Sequence, residues 1–309
     1  MPASRFLHLC MQYNQLGKST LRISEIGFGC MSLPPDDEKK SGLLIDRAVD
    51  AGINYFDTAD LYNHGQNETV LGKSLKNKRN NVLIATKVGN QWKPDSSGWD
   101  WKPSKKYILE AVEKSLRRLQ TNHIDLYQLH GGMREDPIDE VIEAFELLKH
   151  QGKIRYYGIS SIRPDVIREY VARSGIVSVM VQYSLADRRP EETVLSLLQS
   201  NNIGVLCRGA LAQGMLLNKP PKDYLGHAAK DLANAASIIN ELSSASLTPT
   251  LLAIRYVLQH PAVTAAVVGC SRLIQLKELI NISGTGKISP IDISTLQNAL
   301  PAKQYEQHR

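Results

Sequence analysis

The rhythm of the chain constrains its fold more than any other feature: eight short apolar, β-branched runs alternate with stretches of helical spacing. Ile26–Gly29, Ile53–Phe56, Val82–Thr86, Ile124–Leu129, Ile154–Ile159, Val177–Val181, Gly204–Cys207 and Val263–Val268 read as strands one to eight. Helices are expected over residues 39–51, 68–75, 105–119, 138–151, 164–174, 191–199, 248–260 and 274–282. In the third of these, Ile108, Ala111, Val112, Ser115, Leu116 and Leu119 recur at helical spacing and predict one buried face. Eight such units without a second composition regime predict an α/β chain folded as a single (β/α)8 TIM barrel spanning residues 11–309. Residues 1–10 are expected to be a tail or an upstream start, because patterned sequence begins at Met11. Residues 11–23 read as an N-terminal β-hairpin cap with Gly17 at its turn, and residues 209–240, which contain Gly, Pro and Lys and then turn helical, as an enlarged loop at the opposite, C-terminal face. A doubly wound sheet is the alternative fold. It is weakened by the lack of a G-x-G-x-x-G turn after any strand, since GFGCMS (27–32) carries only the first two glycines.

Composition narrows the function classes. With 42% hydrophobic and 22% charged residues, the chain can bury a core and is not of disordered composition. No run approaches the roughly 18–20 apolar residues of a membrane span, and the opening MPASRFLHLC is too short in apolar residues for a secretory signal. Cys10, Cys30, Cys207 and Cys270 are scattered, with no C-x-x-C pair, which fits a reducing, cytoplasmic setting and argues against zinc or a disulfide framework. The net charge of +6 is spread among acidic residues rather than gathered in Lys/Arg runs. A small anionic ligand is therefore expected, and no nucleic-acid or membrane partner. Nothing in the sequence fixes an oligomeric state.

In a barrel of this kind, chemistry sits where the strands end at the C-terminal face. Strand two ends at Asp57, strand three at Lys87, strand four at His130, strand five at Ser160, strand six at Gln182 and Tyr183, and strand seven at Arg208. Taken singly, each is bland: a strand-end Asp caps helices and a lone His is commonly structural. Together they suggest proton donation to a carbonyl. A free tyrosine has a pKa of about 10 and is a weak acid at neutral pH. A nearby lysine cation lowers that value, and a carboxylate keeps such a lysine charged when it is buried. Asp57 can hold Lys87, Tyr62 in the following loop is the available phenol, and His130 can orient a substrate oxygen. A metal-dependent hydrolase would instead need clustered His/Asp/Glu ligands, and only one strand-end histidine is in place, so no metal is expected.

At these positions the chain resembles the aldo-keto reductase superfamily, from about Gln12 to the C-terminal region. FDTADLYNHGQNE (56–68), LIATKVG (83–89) and IDLYQLHGG (124–132) are similar to its successive motifs. RYYGISSIRP (155–164) and YSLADRRPEE (183–192) resemble small bacterial members. The resemblance implies that Asp57, Tyr62, Lys87 and His130 form a catalytic tetrad, with NADPH/NADP+ as cofactor and an aldehyde or ketone as substrate. It implies cofactor contacts from the first loop (Gly29, Cys30, Met31), from Asp57, and from Ser160 and Ser161, where the family usually has Asn at the second serine. Gln182 and Tyr183 match the region whose tyrosine stacks on the nicotinamide. Arg208, Gly209, Ala210, Leu211, Gln213 and Gly214 resemble the loop over the pyrophosphate. Gly269, Cys270, Ser271, Arg272, Gln275 and Glu278 resemble the segment around the adenosine 2′-phosphate, with Leu279 where Asn is frequent. The alternative within the superfamily is a redox-sensing NADPH-binding regulatory protein with slow turnover, similar to potassium-channel auxiliary subunits.

All three tryptophans, Trp92, Trp99 and Trp101, fall in NQWKPDSSGWDWKPS, between strand three and the next helix. Pro94, Asp95, Ser96, Ser97 and Gly98 predict an irregular loop. At least one of Trp92, Trp99 and Trp101 is expected to wall the substrate pocket, the alternative being that the rings fold back onto the outer helices as a small satellite core.

Overall fold

The computed structural model describes residues 11–309; the expected tail, residues 1–10, lies outside the described residues. The chain begins with a hairpin, β1 (Tyr13–Gln15) and β2 (Arg22–Ser24), and continues through β3 (Ile26–Gly29), α1 (Glu38–Asp50), β4 (Tyr55–Asp57), α2 (Gln66–Leu75) and β5 (Leu83–Val88). A second hairpin follows, β6 (Asn90–Trp92) and β7 (Trp99–Trp101), then α3 (Lys105–Leu119), β8 (Ile124–Leu129), α4 (Ile138–His150), β9 (Ile154–Ser160) and α5 (Pro164–Arg173). The remainder is β10 (Ser178–Gln182), α6 (Val194–Ser200), β11 (Gly204–Arg208), α7 (Ala229–Leu242), α8 (Pro249–Leu258), β12 (Val263–Val268), α9 (Leu273–Leu279) and α10 (Pro290–Ala299).

Strands β3, β4, β5, β8, β9, β10, β11 and β12 pair in parallel, in chain order, and β12 returns to β3 with Ala266 beside Ile26 and Val268 beside Phe28. This closure is the predicted (β/α)8 barrel and excludes the doubly wound sheet. Parallel neighbours joined by helices place the apolar helix stripes on the outer face of the strands. There Phe145 of α4 stacks on Tyr157 of β9 (5.2 Å between ring centroids) and meets Tyr127 of β8 edge-on. The inward-facing side chains form a separate core of Tyr55, Ala85, Leu126, Val177, Met180, Leu206, Ala265 and Val267. Leu16, Leu21 and Ile23 of the first hairpin join that core, so the hairpin plugs one end of the barrel. Each such fully buried side chain contributes about 1.5–3 kcal/mol. Gly17 turns the hairpin at φ 52°, and any side chain there would collide with the Val177 carbonyl oxygen.

Three details depart from the sequence reading. The expected helix 274–282 stops at Leu279 and tightens into a 3₁₀ turn, Ile280–Gly284. The expected tryptophan loop is the β6–β7 hairpin, with Trp92 opposite Trp99 and Asn90 opposite Trp101; this pairing overrides the Pro, Gly and Ser content of its turn. Helix α10, which the strand-helix rhythm does not predict, packs on α7 outside the barrel. Among the described residues no helix is long and apolar enough to cross a membrane.

Candidate active site

The site is the continuation of the barrel interior. Alternation along a strand keeps residues i and i+2 on one face, so Tyr55 leads to Asp57, Ala85 to Lys87, and Leu126 to Gln128 and then His130. The apolar interior thus gives way to polar groups where β4, β5 and β8 end. Lys87 is only 1% exposed. Its ammonium donates to Asp57, to the Thr58 carbonyl (2.8 Å) and to the Tyr62 hydroxyl (3.5 Å). The other Asp57 oxygen accepts from Gln128 Nε2 at 3.2 Å. Burial alone would strip the Lys87 proton, but the adjacent Asp57 carboxylate and the Tyr62 phenol outweigh it and hold the lysine above its ordinary range. His130 goes the other way: burial, then the Lys87 and Arg208 charges, push it down to about 3, so its ring is neutral at neutral pH. Its Nδ1 is buried with no protein partner, and its ring meets Tyr62 edge-on at 5.8 Å.

Tyr62 opens a tight turn in which Asn63 (φ 49°), His64 (φ 53°) and Gly65 (φ 83°) are all left-handed. Two such non-glycine residues in succession store strain of order 1–3 kcal/mol each. Glu68 anchors the helix that follows. It is fully buried and accepts from Thr86 Oγ1 (2.6 Å) and Arg118 Nε (2.6 Å). The expected set of Asp57, Tyr62, Lys87 and His130 therefore comes together at the floor of one cavity of about 1120 Å³.

The walls of that cavity carry most of the other expected residues. Gly29 and Met31, Ser160 and Ser161, Gln182, residues 208–211, 213 and 214, and Gly269, Ser271 and Gln275 all border it, as do Trp99 and Trp101. Gln182 is fixed from three sides. Its amide nitrogen donates to Asp187 (2.8 Å) and Tyr224 (3.1 Å), and its oxygen accepts from Arg208 (2.7 Å). Arg163, Arg208 and Lys219 border the cavity as well as Lys87, and Asp57, already paired with Lys87, is the one acid on its wall among the described residues. The wall is thus net positive, which suits an anionic ligand. Arg163, Lys219, Gln128 and Tyr224 are functional-site neighbours that the sequence reading missed. Gln128 was findable, since it shares a strand face with His130.

Several expected residues do not border the cavity. Tyr183 follows the inward Gln182 by one residue and so points outward. It is buried, its hydroxyl donates to Glu191 (2.8 Å), and its ring packs against Tyr256 and His260, outside the cavity lining. Cys30 and Cys270 are core residues, with thiols that burial pushes up, Cys270 to about 12. Glu278 accepts from Thr248 Oγ1 and does not border the cavity. Arg272 is exposed and stands outside the lining. The backbone N–H groups of Ser271 and Arg272 are taken by the Gln275 side-chain oxygen (3.0 and 3.1 Å). Trp92 lies outside the cavity too, because its ring turns to the Tyr62 loop.

Comparison with known proteins agrees with this geometry. The aldo/keto reductase family model matches residues 25–301. The chain belongs to the aldo/keto reductase family. It is 48% identical over 308 residues to the uncharacterized oxidoreductase YqkF of Bacillus subtilis (strain 168), covering 97% of this chain and all of that one. The holo form of aldo-keto reductase AKR11C1 from Bacillus halodurans superposes with a TM-score of 0.91 at 48% identity, over 97% of this chain and 100% of that structure. The aldo-keto reductase yakc [NADP(+)] of Schizosaccharomyces pombe is 33% identical over 68% of this chain and 64% of its own length. Membership makes the chain an oxidoreductase of a family that reduces small carbonyl compounds with a nicotinamide cofactor.

Proposed function

We propose that residues 11–309 act as one NADP(H)-dependent reductase of aldehydes or ketones, with Tyr62 as the general acid. The carrying observation is the Tyr62 hydroxyl 3.5 Å from a buried, charge-held Lys87 at the floor of the cavity. A nicotinamide cofactor held in this cavity would supply the two electrons of the reduction, as hydride. The residues present fit such a group: the cavity exceeds the ~300–1,000 Å³ of ordinary small-ligand sites, its wall is net positive, and the polar Nδ1 of His130 stands unpartnered at its floor. Ser160, Ser161 and Gln182 offer amide-recognising groups, and Arg208, Gly209 and Gln213 a polar strap for phosphates. Tyr183, Cys30, Cys270 and Glu278 do not line this cavity.

The chain's own chemistry concerns one proton. The Lys87 ammonium beside the Tyr62 oxygen stabilises the negative charge that develops there as the proton passes to the substrate oxygen. Asp57 keeps Lys87 charged, and Gln128 keeps Asp57 oriented. Neutral His130 contributes a ring N–H without competing as an acid. Tyr62 gives its proton to the oxygen and recovers one from solvent. Trp99 and Trp101 supply apolar area for the organic part of the substrate. NADPH, rather than NADH, is the proposed cofactor, favoured by the yakc [NADP(+)] relative and by the cationic wall of Arg163, Arg208 and Lys219, with Arg272 next in the chain to the lining residue Ser271. A cytoplasmic location accompanies this reading, because its reduced cofactor and free cysteines belong to a reducing compartment. The test is loss of NADPH absorbance with a panel of aldehydes and ketones, in parallel with NADH. Multiple fast turnovers are expected, whereas a single slow turnover with retained cofactor would overturn the reductase reading.

A further inference from the structure

Trp92 is the hairpin tryptophan that does not border the cavity. Opposite pairing puts Trp92 with Trp99, and Asn90 with Trp101, all on the hairpin face turned toward the barrel. From there the half-buried Trp92 reaches the turn that carries Tyr62. Its indole N–H donates to the Leu61 carbonyl at 3.1 Å. Its ring lies on the His64 imidazole, with centroids 3.7 Å apart and planes 23° apart. One side chain thus grips the residue before Tyr62 and the residue two after it.

That turn requires holding. Asn63 and His64 are consecutive left-handed residues, a conformation that persists only where the surroundings impose it. On its other side, Leu61, Tyr62 and Asn63 border a second cavity of about 360 Å³, which leaves the turn room to relax in that direction. The Tyr62 hydroxyl is already at the outer limit of hydrogen bonding from Lys87 at 3.5 Å, so a small outward movement uncouples the two.

We propose that Trp92 is a positioning residue for the Tyr62 phenol, clamping the strained turn through Leu61 and His64 so that the hydroxyl stays against Lys87. The inference rests on the assignment of Tyr62 as proton donor. Trp92 itself touches neither substrate nor cofactor and acts through its two neighbours.

The test is a double-mutant cycle in the full chain, with steady-state kinetics on a reducible aldehyde and NADPH. Misplacing a reacting group by about an ångström can cost up to ~10²-fold, so Trp92→Ala should lower kcat by ~10-fold or more. KM and the NADPH dissociation constant should stay within about twofold. Trp92→Phe, which keeps a ring over His64 but loses the N–H, should fall between Trp92→Ala and wild type. In a Tyr62→Phe background, Trp92→Ala should add no further loss, because an effect exerted through the hydroxyl disappears with it. Unchanged kcat in both single variants would overturn the proposal. So would the same fold-loss with and without the Tyr62 hydroxyl. Failure of the underlying reductase reading looks different: the wild-type protein would then turn over no carbonyl compound.

Discussion

The floor and the mouth of the cavity follow different rules. At the floor, Asp57, Lys87 and Gln128 project from strand ends, are nearly or fully buried, and are joined through the Asp57 carboxylate, while Gln128 Oε1 has no protein partner among the described residues. At the mouth, the turn after β3, the β6–β7 hairpin and the loop beyond β11 supply exposed groups, with Trp99 at 49% and Met31 at 70% exposure. Floor geometry is imposed by the period of two along each strand and by the cost of burying charge unpaired. Mouth geometry depends on turns, and its side chains remain free to meet different ligands. The floor is therefore expected to carry the chemistry and much stability, and the mouth to carry recognition.

The largest effect that would break this division comes from Lys87→Met. The variant removes the charge beside Tyr62 and leaves Asp57 buried without its partner. Turnover should drop ~10²–10⁴-fold, and thermal or urea unfolding should show a loss of about 3–5 kcal/mol. A variant with wild-type stability and wild-type rate would show that the floor pair is decorative.

At the mouth the expectation is smaller and of another kind. Arg272→Ala should lower the preference for NADPH over NADH by ~10–100-fold, the equivalent of about 1.5–3 kcal/mol for one charge-assisted contact. Its melting temperature should barely move. Because Arg272 stands outside the cavity wall, equal loss of both cofactors would move it from recognition to structure.

The smallest effect sharpens the floor itself. His130 is held at about 3 against an ordinary 6.5, so the folded protein binds its proton more weakly than the unfolded chain. Its contribution to stability is complete above about pH 6.5 and is lost progressively as pH falls toward about 3. His130→Gln removes that titration. Melting temperature measured across this window should fall less steeply in the variant, and parallel curves would contradict a buried neutral histidine.

The same division explains what the sequence disclosed. Asp57, Lys87 and His130 were legible because strand boundaries fix where a side chain emerges, and the barrel closes in chain order. Tyr183 was misread because motif similarity located the segment without its parity: Gln182 faces in, so its neighbour faces out. Cys30 and Cys270 share that fault. The tryptophan segment was misread as a loop because Pro94 and Gly98 belong to a hairpin turn, while the flanking Asn90–Trp92 and Trp99–Trp101 pair as strands. Arg163 and Lys219 were missed because no periodicity marks a loop residue that folds over a cavity, and α10 because it lies outside the barrel's repeat.

The central claim is that the Tyr62 hydroxyl delivers the proton. Tyr62→Phe keeps the ring and deletes only that group, so carbonyl reduction and NADPH affinity should be measured on the same purified sample. The account predicts a turnover loss of ~10²–10⁴-fold with the NADPH dissociation constant nearly unchanged. Turnover close to wild type in a variant that still binds NADPH would contradict it.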